Sequence, residues 1–521
     1  MKFLPVGIQD FQTIRTGNFV YVDKTRFLFE MVHPPQGFYF LSRPRRFGKS
    51  LTVSTLKCLF EGKRELFDGL WIAENGEWAW KEHPTILLDF NQISHDSPEN
   101  LERGLIRRLE SIARSRGLES DAPLVKERFA ELILALRQKT GMPVAVLIDE
   151  YDKPLIDHLG KGNAGLEIAK ANRDFLKPFL GVLKGGDVSA ALRFVFVTGV
   201  TKFSRVSIFS DLNNLNDLSL QRNYADLLGY TPEELETDFA EHIRDFARET
   251  GKSPEAVIEG LRRQYNGYRF SEKDIRVCNP FSVLRSLKER AFGNYWFETG
   301  TPSFLIHLLR ERNYPLPRIE NLQTDEIQFG AFELENLKPE AVLFQTGYVT
   351  IKDVSDSIHT FDYPNREVKT AFLKHLFSSY LDEPGTYSRI LWLAAHLRRE
   401  SMDDFFAEMT AIFASIPYAL ETKRDEAYFH TIFYLAVSAS GADARSEVLT
   451  CEGRIDLLVE FPETVFVFEF KCNQNADAAI RQIRQKDYAA PHRASGKKIV
   501  LVGIDFDTGK RNISEWKWEA D

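Results

Sequence analysis

Apolar residues fall along the first third of the chain in two alternating rhythms. Unbroken runs at 37–41 (GFYFL), 85–90 (TILLDF), 144–148 (VAVLI) and 193–198 (RFVFVT) have the length of strands buried on both faces. Between them lie stretches of helical period at 51–60, 99–115 and 123–140. Apolar strands separated by helices predict an α/β domain built on a parallel sheet covered on both sides. Past Tyr230 the pattern is helical over 231–292, broken at Tyr265-Asn266-Gly267-Tyr268 and at Asn279-Pro280. A helix, a hairpin and a second helix are expected over 325–381, an order compatible with a winged helix. Helices are expected next at 387–415 and 426–440. Strands then follow at 446–449, 454–460 and 465–470, with a helix at 476–488 and a last strand at 498–504. The expected division is 1–230, 231–383 and 384–521, with no internal repeat, no low-complexity segment and short linkers. It agrees with a prior of roughly 100–200 residues per domain.

Composition narrows the class. Of 521 residues, 43% are hydrophobic and 27% charged, as in a folded soluble protein, and no run approaches a membrane span of roughly 20 apolar residues. The opening MKFLPVGIQDFQTIRTGN lacks the apolar core and small-residue cleavage site of a signal peptide. Cys58, Cys278, Cys451 and Cys472 are too few for a disulfide framework and too scattered for a zinc site. A cytoplasmic location with no membrane partner is the expectation. The formal net charge of −8 excludes an overall cationic coat for nucleic acid and leaves a local basic groove open.

The strand at 37–41 runs into SRPRRFGKSL, which then enters a helix. Phosphate binding at such a turn needs close backbone approach, a lysine for the β and γ phosphates and a hydroxyl for Mg²⁺. Gly48, Lys49 and Ser50 answer those needs, with Arg46, Phe47 and Leu51 beside them in the nucleotide-binding loop. Arg43 stands where the leading glycine of the usual pattern falls, so the motif is incomplete, and a basic turn capping a helix is the other reading. The strand at 144–148 ends in Asp149 and Glu150. Asp149 suits a Mg²⁺ contact, and Glu150 suits the orientation or deprotonation of an attacking water. Strands also end in acids without such a role, and the pairing of the two motifs on one sheet favours ATP. The next strand end carries Thr198, Thr201, Lys202 and Arg205. Either these are loop polars, or Thr198 senses the γ-phosphate while Arg205 acts in cis or across the interface of a homo-oligomer.

Near the carboxyl end, Asp456 lies on one expected strand and Glu469 and Lys471 lie two apart on the next, on one face. Two carboxylates and a lysine brought together by a tight hairpin suit metal-assisted phosphodiester hydrolysis with Mg²⁺ or Mn²⁺. The alternative is a surface ion pair, but charges set into VFVFEF need compensation. Glu426, His430 and Glu447 are further ligand candidates or ordinary helix and strand polars. Tyr265, Tyr268, Trp296 and Phe297 are read as core in preference to base-stacking residues. Arg366, Lys369 and Lys374 are read as a solvated helix face in preference to a duplex contact.

RPRRFGKSL, the upstream VYVDKT, LIDEYDKPL and VTGVTKFSRVSIFSDLNNL together resemble the bacterial and archaeal AAA-ATPase-like family, over nearly the whole chain. Members commonly end in a PD-(D/E)xK nuclease-like domain, which Asp456 and Glu469-Phe470-Lys471 resemble residue by residue. The resemblance implies a P-loop sheet of AAA+ or STAND type and nucleotide contacts near 21–24. It makes Arg43 an ordinary occupant of its position. It also implies a QxxxY-like element, for which Gln482 and Tyr488 are spaced six apart and not four. The expected whole is an ATPase joined to a metal-dependent deoxyribonuclease acting on DNA. A nucleotide-driven switch or scaffold with an inert nuclease fold is the alternative.

Overall fold

The computed structural model describes residues 1–202, 212–296, 305–306, 308–309, 314, 316–330, 334–378, 386–416, 426–450 and 452–521. Contacts divide the chain into two units, Met1–Leu308 with Gln323–Thr360, and Leu309–Leu322 with Phe361–Asp521. The chain therefore passes from one unit to the other three times.

The first unit is built on β1 (Gly37–Ser42), β2 (Thr85–Asp89), β3 (Val144–Asp149), β4 (Leu192–Gly199) and β5 (Asn216–Asp217). They form one parallel sheet in the order β2-β3-β4-β1-β5. Every residue of β3 and β4 is buried, which is why both read as unbroken apolar runs. The connecting helices include α1 (Lys49–Phe60), α2 (Pro98–Ser115), α3 (Val125–Thr140) and α4 (Gly162–Gly181). In α2 the Ser97 side chain caps the first turn, and Leu101, Leu105, Leu109 and Ala113 form the buried stripe.

The same unit continues with α5 (Pro232–Asp238), α6 (Ala240–Thr250), α7 (Pro254–Tyr265) and α8 (Pro280–Glu289). Pro232, Pro254 and Pro280 each open a helix, where the missing N–H would have had no partner anyway. Their side chains make a second core with Val20 and Val22 from the amino-terminal segment, around Phe239, Ile243, Leu261 and Tyr265. Tyr265, Tyr268 and Trp296 are buried, and Phe297 lies outside the described residues. After α9 (Pro339–Thr346) come β6 (Thr350–Ser355) and β7 (Ile358–Asp362), neighbours in a small sheet.

The second unit contains α10 (Arg366–Ser378), α11 (Thr386–Arg398), α12 (Met402–Ala414), α13 (Glu426–Ala439) and α14 (Ala476–Gln485). Its strands are β8 (Asp443–Leu449), β9 (Arg454–Glu460), β10 (Thr464–Cys472), β11 (Lys498–Asp507) and β12 (Asn512–Ala520), in the order β12-β11-β10-β9-β8. β8, β9 and β10 form an antiparallel meander, and β11 pairs parallel with β10 after the α14 crossover. The expected order of helix, three strands, helix and strand is present. The additional strand β12 pairs antiparallel with β11. Glu320, in the segment Leu309–Leu322, is anchored here. It accepts from Tyr434 Oη at 2.7 Å and lies 2.6 Å from Lys369 Nζ. Lys369 is thus committed to an internal ion pair, while Arg366 is exposed.

Gly503, opposite Glu469 in the β10–β11 register, lets α14 lie close to the sheet. A Cβ there would sit 2.5 Å from Ala476 O, backbone that cannot swing aside. Gly503→Ala is expected to destabilise the second unit by about 1–3 kcal/mol, read by equilibrium denaturation. An unchanged midpoint would show that α14 yields freely.

Candidate functional site

The first candidate site is the loop between β1 and α1. Gly48 caps α1 with φ 98°, and Arg46 also lies in the left-handed region at φ 67°. Aromatic groups from the helical segment hold this loop. Phe47 packs against the edges of Tyr268 and Phe270, with centroids 4.7 and 5.4 Å away. The Arg46 guanidinium lies 4.7 Å over Phe281, and Trp296 Nε1 donates to Arg45 O at 3.0 Å. Lys49 is buried. Its Nζ donates to Arg43 O at 3.1 Å and Pro44 O at 3.2 Å, and stands 3.8 Å from Glu150 Oε1.

The carboxyl end of β3 supplies the acids. Asp149 pairs in register with Asp89 of β2 and hydrogen-bonds the Ser50 hydroxyl. Burial, then the neighbouring Glu150 charge, pushes the Asp149 carboxyl up to about 6. Glu150 follows with φ 52°, a strained position for a side chain with a Cβ and of the kind that clusters at working sites. Lys49, Ser50, Glu150 and Asp89 line a cavity of about 630 Å³. Apolar groups from 20–22, 227–230 and the start of α8 also line it, with Tyr21, Lys24, Arg45, Arg46, Lys153 and Asp157 among the further lining residues. A polar end with two acids and a hydroxyl fits a hydrated divalent cation and phosphates, and the apolar walls fit a base.

Arg43 has a different task from the glycine it replaces. It is 2% exposed, and its guanidinium donates to Ser42 O, Ser219 O (2.7 Å) and Tyr224 O (3.2 Å). The guanidinium also lies 4.2 Å over the Phe270 ring. Burial brings it down to about 9. It ties the base of the loop to the segment after β5. Thr198 is fully buried, and its hydroxyl donates to Leu41 O at 2.7 Å, so it is not among the groups lining the cavity. Thr201 donates to the buried Asp152 at 2.6 Å, Lys202 pairs with Asp217, and Arg205 lies outside the described residues. Asp152 also accepts the Val200 and Thr201 N–H groups, fastening the turn after β3 to the end of β4. Asp152, Lys153 and the wall at Phe281 and Leu284 were not singled out from sequence. The DKP run after the acid pair was the available signal for the first two, whereas α8 is brought to the loop only by folding.

The second candidate site sits where β9 and β10 lie side by side. Leu457 pairs with Phe468, so continuing the register by one residue sets Asp456 opposite Glu469. Asp456 Oδ2 accepts from Phe470 N at 2.8 Å. Lys471 Nζ donates to Glu469 Oε1 and Phe470 O, both at 2.9 Å. Glu469 is 1% exposed, and its Oε2 has no hydrogen-bond partner among the described residues. Burial pushes Asp456 up to about 6; burial and then the Asp456 charge push Glu469 up to about 8. A buried, unpartnered carboxylate oxygen beside a second carboxylate is a donor set that fits a hard divalent cation.

The neighbouring candidates separate. His430 is buried beneath the site, with burial holding its imidazole down at about 4. It bonds the Asp456 backbone and Ser446 Oγ (3.3 Å) and packs its ring on Phe470. Glu447 pairs with Arg454 at 2.9 Å, whereas Glu426, exposed at the start of α13, lies near enough that its charge adds to the upward shift of both Asp456 and Glu469. Gln482 is half-buried on α14, whereas Tyr488 lies beyond its end in the core. Among the described residues, no group of three or more His, Cys, Asp and Glu is drawn together as a metal cage.

Comparison with known proteins gives two family matches. The family described as "Predicted AAA-ATPase" matches residues 5–209, and "PD-(D/E)XK nuclease superfamily" matches 424–516. A protein of Azotobacter chroococcum mcd 1, described as "Uncharacterized protein in vnfD 5'region", is 38% identical over 525 residues, with 98% of each chain covered. The solved "Structure of Drosophila ORC bound to DNA" aligns at 10% identity over 70% of this chain and 85% of that one. Its TM-score is 0.25, too low to carry an argument.

Two outcomes follow from these geometries. Arg43→Gly restores the usual loop glycine, yet strands the Ser219 and Tyr224 carbonyls and opens a cavity. It is expected to cost about 2–4 kcal/mol in denaturant unfolding, with no gain in nucleotide affinity; unchanged stability would refute the tie. Asp456 and Glu469 have folded values raised above the ordinary carboxylate range. Their protonated forms therefore add stability that is complete below about pH 4 and lost as pH rises through about 6 and 8. Added Mg²⁺ or Mn²⁺ should raise the melting temperature of the second unit more at pH 8 than at pH 5. A pH-independent shift, or none, would count against a cation between these carboxylates.

Proposed function

The chain belongs to the predicted AAA-ATPase family and carries a carboxyl-terminal PD-(D/E)XK nuclease superfamily domain, and from that premise we propose that it hydrolyses ATP in its first unit and cuts DNA in its second. The observation that carries the nuclease reading is the Glu469 carboxylate, buried with one unpartnered oxygen beside Asp456 and tied to Lys471. Asp456 and Glu469 would hold Mg²⁺ or Mn²⁺, which when bound supplies Lewis acidity and acidifies water. Lys471 offsets the charge that builds on the phosphate. In the first unit Lys49 takes the β and γ phosphates, and Ser50 with Asp149 takes Mg²⁺. Glu150 orients or deprotonates the attacking water. Arg46, Phe47, Gly48 and Leu51 set the loop around the phosphates.

In this reading nucleotide state licenses DNA cleavage, the protein works in the cytoplasm and a homo-oligomer is a plausible working form. The motivation for coupling is that both sites share one chain. Among the described residues no helix is long and apolar enough to cross a membrane. The division at 230 and 383 is kept as a proposal about folding units, which limited proteolysis reads. The second reading is a nucleotide-driven switch with an inert nuclease fold. The observation favouring it is that Lys471 Nζ is already engaged by Glu469 and Phe470 O.

Plasmid cleavage with Mg²⁺ or Mn²⁺, with and without ATP, separates the two. The expected result is metal-dependent cutting that ATP alters, with Asp456→Ala and Lys471→Ala each lowering the rate by about 100-fold or more and Lys49→Ala abolishing the response to ATP. No cutting by the wild type, or equal cutting by the Asp456 and Lys471 variants, sinks the nuclease claim.

A further inference from the structure

The ATP-site chemistry described so far uses one lysine. The cavity wall also holds Lys24 and Lys153. Lys153 lies three residues after Glu150, and its backbone N–H donates to Glu150 O at 3.0 Å. Lys153, Glu150 and Lys49 line the same cavity, with Asp89 and Asn91 from the end of β2. The Lys153 ammonium is 2.6 Å from Asp157 Oδ2, and Asp157 also lines the cavity.

An exposed lysine–aspartate pair four residues apart is ordinarily worth only about 0.3–0.5 kcal/mol and orders little. This pair is built differently. The same Asp157 oxygen accepts from His95 Nε2 at 3.1 Å, so a residue from the loop after β2 braces it. The other His95 ring nitrogen is 2.8 Å from Ile93 O. The His95 backbone is pinned in turn, since its carbonyl accepts from His158 Nε2 at 2.7 Å and from Asn172 Nδ2 at 2.9 Å. Asn172 is fully buried on α4 and also donates to Pro154 O, immediately after the lysine. Three separate segments therefore converge to hold one ammonium group at the cavity wall. Side-chain order of that kind costs entropy and marks a group whose position matters.

We propose that Lys153 is a second phosphate-binding cation, contacting the terminal phosphate of a nucleoside triphosphate, and that Asp157 and His95 are positioning residues that hold it there. The inference rests on the ATP reading of this cavity. Its chemical logic is that a triphosphate carries more negative charge than a diphosphate, and that Lys153 adds a cation next to Glu150 to those that Lys24, Arg45, Arg46 and Lys49 already bring to the cavity lining. Lys153 is joined through its backbone N–H to Glu150, the acid assigned to the attacking water, and lines the same cavity. Asp157 holds the Lys153 ammonium, while the Glu150 carboxylate has Lys49 as its neighbour. Removing the ammonium should therefore lower affinity for triphosphate more than for diphosphate.

The test is isothermal titration of the full chain with AMP-PNP and with ADP, each with Mg²⁺, for wild type, Lys153→Met, Lys153→Arg, Asp157→Asn and Lys49→Ala. Melting temperature checks that each variant folds, and Lys153→Met keeps the aliphatic stem. Lys153→Met is expected to weaken AMP-PNP by about tenfold and ADP by less than about twofold. Lys153→Arg should retain most of the affinity. Asp157→Asn should weaken AMP-PNP by an intermediate factor while ADP is unmoved, a selectivity that loss of structure would not produce. A wild-type AMP-PNP to ADP ratio in Lys153→Met overturns the proposal while leaving the ATP site standing. If the wild type binds neither nucleotide, or Lys49→Ala binds both as well as wild type, the ATP reading fails and this inference fails with it.

Discussion

A carboxylate delivered by a fully buried strand has lost its water and must find charge or hydrogen bonds elsewhere. Both units of this protein meet that constraint. β3 carries Asp149 out of a wholly buried run, and β10 carries Glu469 out of another. Around Asp149 the compensation comes from Ser50, with Lys49 set against the adjacent Glu150. Around Glu469 it comes from Lys471, while Asp456 leans on the Phe470 N–H. In each case the compensation is partial, and the carboxyl stays above its ordinary range. In the proposed reading that shortfall is what a cation would make good at each place.

The phosphate loop shows how the same problem is handled for a cation. Arg43 is buried, and its guanidinium survives there because backbone carbonyls and the Phe270 face surround it. The loop's shape is consequently not set by glycines alone. Phe47, Arg46 and the Arg45 carbonyl are each engaged by an aromatic residue between Tyr268 and Trp296. A segment some 220–250 residues downstream thus helps to hold a loop that has Arg43 where the usual pattern has a glycine.

The elements legible in the sequence were those whose environment leaves a simple mark. Wholly buried strands wrote unbroken apolar runs, whereas Asn279-Pro280, read as a break in a helical stretch, is the capped start of α8. β12 escaped because it is a largely exposed edge strand whose NISEWKWEA pattern carries no buried face. β5 escaped because two residues make no pattern. Within the sites, the charged positions could be named because charge is conspicuous in apolar strands. Their partners could not, since no spacing rule brings Phe281 to Arg46 or His95 to Asp157. Thr198 belongs with these, since its hydroxyl donates to Leu41 O, a partner that no spacing rule announces.

The segment Leu309–Leu322 belongs by contact to the second unit, although the chain on both sides of it belongs to the first. Glu320 fastens it there through Tyr434 and Lys369. The two units are therefore interleaved along the gene and not strung end to end. A recombination event with a single junction near either crossing would deliver one unit with a piece missing and the other with a stray peptide attached. Exchange of the carboxyl-terminal unit between relatives is consequently a three-junction event.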